Sequence, residues 1–109
     1  MLSSRAGSSS YDWRVDFTQP SKNVWHMYTI VWLKTGNVKI YVDGFYVGED
    51  SVGVLNDYYP TWRPLIGAIN SSYYSYVVQY INGDIDEFSI WTRPLNSTEI
   101  SQLYNYGIE

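Results

Sequence analysis

The chain has 109 residues, which bounds it to one domain with one core. Its 45% hydrophobic and 17% charged residues argue against disorder, and its net charge of −4, with seven scattered Lys and Arg, lacks the basic stripe that nucleic acid or an anionic membrane surface requires. The absence of cysteine excludes disulfides, thiolate metal sites and thiol catalysis, and no apolar run approaches the ~18 residues of a membrane span.

Met1 to Gly7 lacks the apolar centre of a signal peptide, and Ser3 to Ser10 is small and polar. Residues 1–10 therefore read as a polar arm ahead of a domain over residues 11–109. From Tyr11 the pattern alternates. Tyr11, Trp13, Val15 and Phe17 share one face, while Asp12, Arg14 and Asp16 share the other, which predicts a half-buried strand ended by Pro20 and Ser21. Asn23 to Leu33 is apolar on both faces and predicts a strand buried on both sides, with Trp25, Met27, Val31 and Leu33 opposite Val24, Tyr28, Ile30 and Trp32. Lys34 to Asn37 is a turn. Val38 to Val42 and Phe45 to Val47 are strands joined by Asp43-Gly44, a pair that suits the positive φ angles of a tight hairpin.

Gly48 to Trp62 is a long polar and aromatic connection. A short strand is expected over Pro64 to Ile69, a loop over Asn70 to Ser75, a strand over Tyr76 to Ile81, a turn at Asn82-Gly83 and a last strand over Asp84 to Trp91. One helix follows. Asn96 caps it with Glu99 three positions on, Ile100, Leu103 and Tyr104 form one apolar face, and Gly107 sits at the C′ position. Many short strands with one small helix predict an all-β fold, an antiparallel β-sandwich or jelly roll with a short C-terminal helix.

The residue blocks resemble those of the laminin-G-like, concanavalin A-like lectin domains. Trp25-His26-Met27-Tyr28-Thr29-Ile30-Val31-Trp32 is similar to that family's W-H strand, and Val38 to Gly48, containing Tyr41-Val42-Asp43-Gly44, to its Y-V-D-G hairpin. Leu65-Ile66-Gly67-Ala68, Asn82-Gly83-Asp84-Ile85-Asp86-Glu87 and Arg93-Pro94-Leu95 through Glu99-Ile100 and Leu103-Tyr104 to Gly107 resemble the remaining blocks, in the right order. The resemblance implies a jelly roll of two antiparallel sheets. It also implies binding of glycans or proteins at the surface of extracellular or envelope-associated proteins, although this fold hosts many functions. Family domains carry more strands before the W-H block, so the chain resembles a form shortened at its N-terminal side. Its exposed strand edges then call for cover by another copy or a partner chain.

A glycosidase needs two carboxylates flanking the scissile bond. Asp84 and Asp86 share a face of the expected last strand and Glu87 lies on the other, so the acids do not converge and the chain is not expected to be an enzyme. His26, the one histidine, reads as a satisfied packing residue. The resemblance implies a structural calcium with Asp86, and more weakly Asp84, as ligands. The competing reading has Asp86 accepting backbone N–H groups to fix a turn.

Aromatics make up 18% of the chain, with 12 Tyr and 5 Trp against 3 Phe, a bias that suits a half-exposed binding surface as well as it suits strands. For a glycan, the loop rings Tyr58, Tyr59, Trp62, Tyr73 and Tyr74 offer stacking faces, and Asn56, Asp57 and Asn70 offer hydrogen bonds. The same rings would equally suit a subunit contact. Sequons occur at Asn70 and Asn96, the latter also wanted as a helix cap. The leading reading is a non-catalytic glycan-binding or adhesion module, extracellular, cell-surface or virion-associated. The alternative is a structural subunit of a surface assembly.

Overall fold

The structure, a computed structural model, describes residues 2–6, 8–51, 66–71, 76–78 and 81–106. The chain divides into two compact units, one formed by residues 1–56 with 91–109 and the other by residues 57–90.

In the first unit, β1 (Leu2–Ala6) pairs antiparallel with β2 (Ser8–Val15), with Leu2 opposite Val15 and Ser4 opposite Trp13. This corrects the expected polar arm. A strand ladder is built from backbone N–H and C=O groups, so a serine-rich segment can pair without an apolar pattern to announce it. A three-stranded sheet follows in the order β3 (Tyr28–Trp32), β4 (Asn37–Val42), β5 (Phe45–Ser51). Asp43 at φ 52° and Gly44 at φ 82° make the β4–β5 turn, as the sequence predicts. An extra residue between Ile40 and Tyr41's partners bulges β5, and the strand runs on to Ser51, past the expected end at Val47.

Both faces of β4 are covered. On one, Val38 and Ile40 meet Val15 from the end of β2, with Phe17 and Val47 packed around them. Gly48 lies opposite Ile40, and a Cβ there would stand 2.7 Å from Val15 Cγ1, so glycine lets the two segments approach. On the other face, Val31 and Tyr41 meet Leu95 and Ile100, with Met27, Leu33 and Leu103 beside them. Ile100 comes from α1 (Ser97–Tyr106). Its side chain is fully buried, a contribution of about 2 kcal/mol by transfer. The capping box is closed in both directions: Asn96 Oδ1 accepts from the Glu99 N–H at 2.8 Å, and Glu99 Oε1 accepts from the Asn96 N–H at 3.2 Å.

The doubly buried strand over Asn23 to Leu33 is corrected. Only Tyr28–Trp32 is strand. Asn23 adopts φ 61° in a turn, a conformation asparagine tolerates, and Trp25 is 67% exposed. Tyr28, Ile30 and Trp32 share a face by register, yet Trp32 retains 41% exposure while Ile40, on the neighbouring strand, has none. The cover from β2 thus centres on β4 and falls off toward the edge strand β3.

In the second unit, β6 (Ile69–Ser71) pairs with β7 (Tyr76–Val78). Where a strand was expected over Pro64 to Ile69, residues 66–68 bend, with Gly67 at φ 77°. Asn70, expected in a loop, lies in β6. Of the strand expected over Tyr76 to Ile81, β7 covers Tyr76–Val78, and residues 79 and 80 lie outside the described residues. The expected last strand over Asp84 to Trp91 is absent. The Asp86 side chain accepts the N–H of Glu87 at 2.8 Å, and Glu87 sits at φ 53°. A local side-chain acceptor and a left-handed residue both divert the backbone from a ladder.

Candidate functional site

The β4–β5 turn organises a polar cluster around Asp43. Asp43 spends both carboxylate oxygens there. Oδ1 accepts the Met27 N–H at 2.9 Å, and Oδ2 faces His26 Nδ1 at 2.7 Å. The Asp43 N–H in turn bonds the Met27 carbonyl at 2.8 Å. His26 Nε2 lies 2.8 Å from the Ser21 carbonyl and 3.3 Å from Ser21 Oγ. The imidazole is 14% exposed, and its pKa is raised above 6.5 first by the hydrogen bond to Asp43 and then by that to Ser21. His26 is thus satisfied by hydrogen bonds, although by a carboxylate at the rim and not by burial in an apolar strand.

Around this cluster, rings face outward. Trp25 and Val24 project from the segment it ties down, and Phe45, directly after the turn, is 73% exposed. On the opposite sheet face Tyr46 packs edge-on to Tyr41, with centroids 5.7 Å apart, and its hydroxyl donates to Glu49 at 2.7 Å. That bond raises the Tyr46 pKa.

A second feature lies on the helix. Trp91, Leu95, Glu99, Gln102, Leu103 and Tyr106 line a shallow, open groove. Leu95 forms its buried floor, Tyr106 is 78% exposed at its rim, and Gln102 adds an amide. Arg93 holds Glu99 in a two-pronged pair at 2.9 and 2.5 Å. The guanidinium, followed by the Asn96 N–H, holds the Glu99 carboxyl down at about 2. A carboxylate so firmly ionised is an acceptor and not a proton donor near neutral pH.

Most of the ring residues expected to bind a ligand, Tyr58, Tyr59, Trp62, Tyr73 and Tyr74, lie outside the described residues, as do Asn56 and Asp57. Asn70 is placed in β6. Asp84 and Asp86 do not lie on a strand, and Asp86 is engaged by the Glu87 N–H. Among the described residues no three His, Cys, Asp or Glu gather as metal ligands. The Trp91 groove and the exposed Trp25 and Phe45 were not predicted as sites. Their signal was present in the local sequence, since Phe45 follows a two-residue turn and Tyr106 ends a helix whose apolar face is spent at Ile100 and Leu103.

A helix long and apolar enough to cross a membrane is absent among the described residues. No curated protein matches the chain. The crystal structure of an S-layer domain-containing protein from Clostridium thermocellum is similar over 80% of this chain, at 28% identity and a TM-score of 0.61. The chain spans 42% of that structure, less than half its length. The family model described as the concanavalin A-like lectin/glucanases superfamily matches residues 1–101, strands and helix start included. By that match the chain belongs to the laminin-G-like domains of the concanavalin A-like lectin/glucanase superfamily.

Proposed function

We propose that the chain is a non-catalytic recognition module of a surface or extracellular protein, built on a two-layer jelly roll and binding glycans. The observation that carries this reading is the lectin-like family match across residues 1–101. The aromatic loops supply the chemistry. Tyr58, Tyr59, Trp62, Tyr73 and Tyr74 offer ring faces for the apolar side of a sugar, and Asn56, Asp57 and Asn70 offer partners for its hydroxyls. The groove beside Trp91 and Tyr106 joins the same two kinds of group at a second place. A glycan array tests the reading, with Trp62→Ala and Tyr73→Ala as controls. Binding by the folded chain that both substitutions weaken supports it. A folded sample that binds no glycan counts against it.

A second reading, a structural subunit of a surface assembly, is favoured by one observation, the likeness to an S-layer domain-containing protein. There β3 and β5, which flank β4 in the three-stranded sheet, would supply the edges for contacts with neighbours. Light scattering after size exclusion decides: a monomer removes this reading. A structural calcium at Asp86 and Asp84 would need further ligands from outside the described residues. A fall in the unfolding midpoint on adding chelator would support the ion, and an unchanged midpoint would remove it.

A further inference from the structure

We propose that His26 is a charged clamp that ties the segment from Ser21 to Met27, and with it the outward pose of Trp25, to the Asp43–Gly44 turn, and that deprotonation loosens the Ser21 end. The geometry carries this. Nδ1 faces a carboxylate oxygen at 2.7 Å and Nε2 faces a backbone carbonyl at 2.8 Å. The carboxylate and the carbonyl are pure acceptors, so both ring nitrogens must carry hydrogen for these two bonds to exist together, and only the imidazolium does so; Ser21 Oγ, 3.3 Å from Nε2, can donate a longer bond to the neutral ring. When the proton leaves, the Asp43 charge keeps the remaining N–H on Nδ1. The 2.8 Å bond from Nε2 to the Ser21 carbonyl is then lost, and the longer contact with Ser21 Oγ, at 3.3 Å, is what remains at that end. The Met27 end stays fastened, because its two bonds to Asp43 do not involve the imidazole.

Asp43 is the carboxylate facing the ring. Lys22 lies in the same segment, and Tyr104 of α1 packs beside Gly44 from the helix side. The raised folded pKa sets the sign. The clamp is fully present below the ordinary value of 6.5 and is lost as the pH rises through the folded value. Trp25 and Val24 are 67% and 61% exposed on the clamped segment, so the clamp governs a patch that a partner would meet.

The chain has one histidine, so its ring proton resonance is unambiguous in an NMR titration. The proposal expects a midpoint above 6.5. It expects amide protection in residues 21–25, corrected for intrinsic exchange, to fall through the same midpoint by the ratio of the folded and ordinary acid constants. Asp43→Asn is the decisive variant. Asn-Gly suits the same turn, and the amide can donate to a neutral Nδ1 while still accepting from Met27. In that variant the midpoint drops and the protection no longer steps with pH. A wild-type midpoint at or below the ordinary value overturns the proposal. So does a protection step that survives in Asp43→Asn. His26→Gln, which carries no titrating proton, must also lack the step.

Discussion

Gly48 shows how one missing side chain sets a layer spacing. Its backbone stands where a Cβ would come within 2.7 Å of Val15 Cγ1, and valine is stiff about χ1 and cannot swing aside. Gly48→Ala is expected to cost about 1–3 kcal/mol, the range for overpacking, read as a lowered denaturant midpoint with the slope unchanged. A neutral result would mean that Val15 does not sit against β5. At the same scale, Asp43 carries more than its turn. Its φ of 52° was legible from the Asp43-Gly44 pair, because a two-residue hairpin has few solutions. Its hold on His26 was not legible, since the two residues are 17 apart in sequence and the bond depends on where the chain returns.

Helix α1 is the element whose sequence and structure agree most closely. Asn96 and Glu99 bond reciprocally, and Ile100 lands in the core, because capping and 3.6-residue periodicity are local properties. Asn96→Ala is expected to cost about 1 kcal/mol, measured by thermal or chemical unfolding. Glu99 adds a pH dependence. Its carboxyl is held at about 2 against an ordinary 4.5, with Arg93 as the main cause. Its contribution is therefore complete above 4.5 and declines as the pH falls toward 2. Glu99→Gln keeps a capping partner and removes the charge, so its unfolding midpoint should vary less across that acid window than the wild type's. Equal slopes would contradict the paired geometry. The strands were less legible than the helix. From Asn23 to Leu33 every position is compatible with burial, so no period marks where the strand begins. Asn23 at φ 61° and the loop carrying Trp25 occupy what reads as its first half. Asp84 to Trp91 reads as a strand, but Asp86 takes its neighbour's N–H and Glu87 turns left-handed, and neither event shows in a hydrophobic pattern.

At the scale of the molecule, β4 is the covered strand: Val38 and Ile40 face β2, and Tyr41 faces the helix. Such a scaffold can hold rings at its rim without spending them on the core, and Trp25, Phe45 and Tyr106 are among the exposed rings of the described residues. The family was legible from ordered blocks of sequence, because each block is a strand, turn or cap with its own local chemistry. The proposed ligand-binding residues rest on a composition of rings and amides, and all of them except Asn70 lie outside the described residues. The central claim is that the module binds a sugar and leaves it intact. Native mass spectrometry of the folded chain with a panel of oligosaccharides tests both halves at once. The account predicts a complex whose mass is that of protein plus whole oligosaccharide. Shortened oligosaccharide products, or a folded chain that carries no member of the panel, would contradict it.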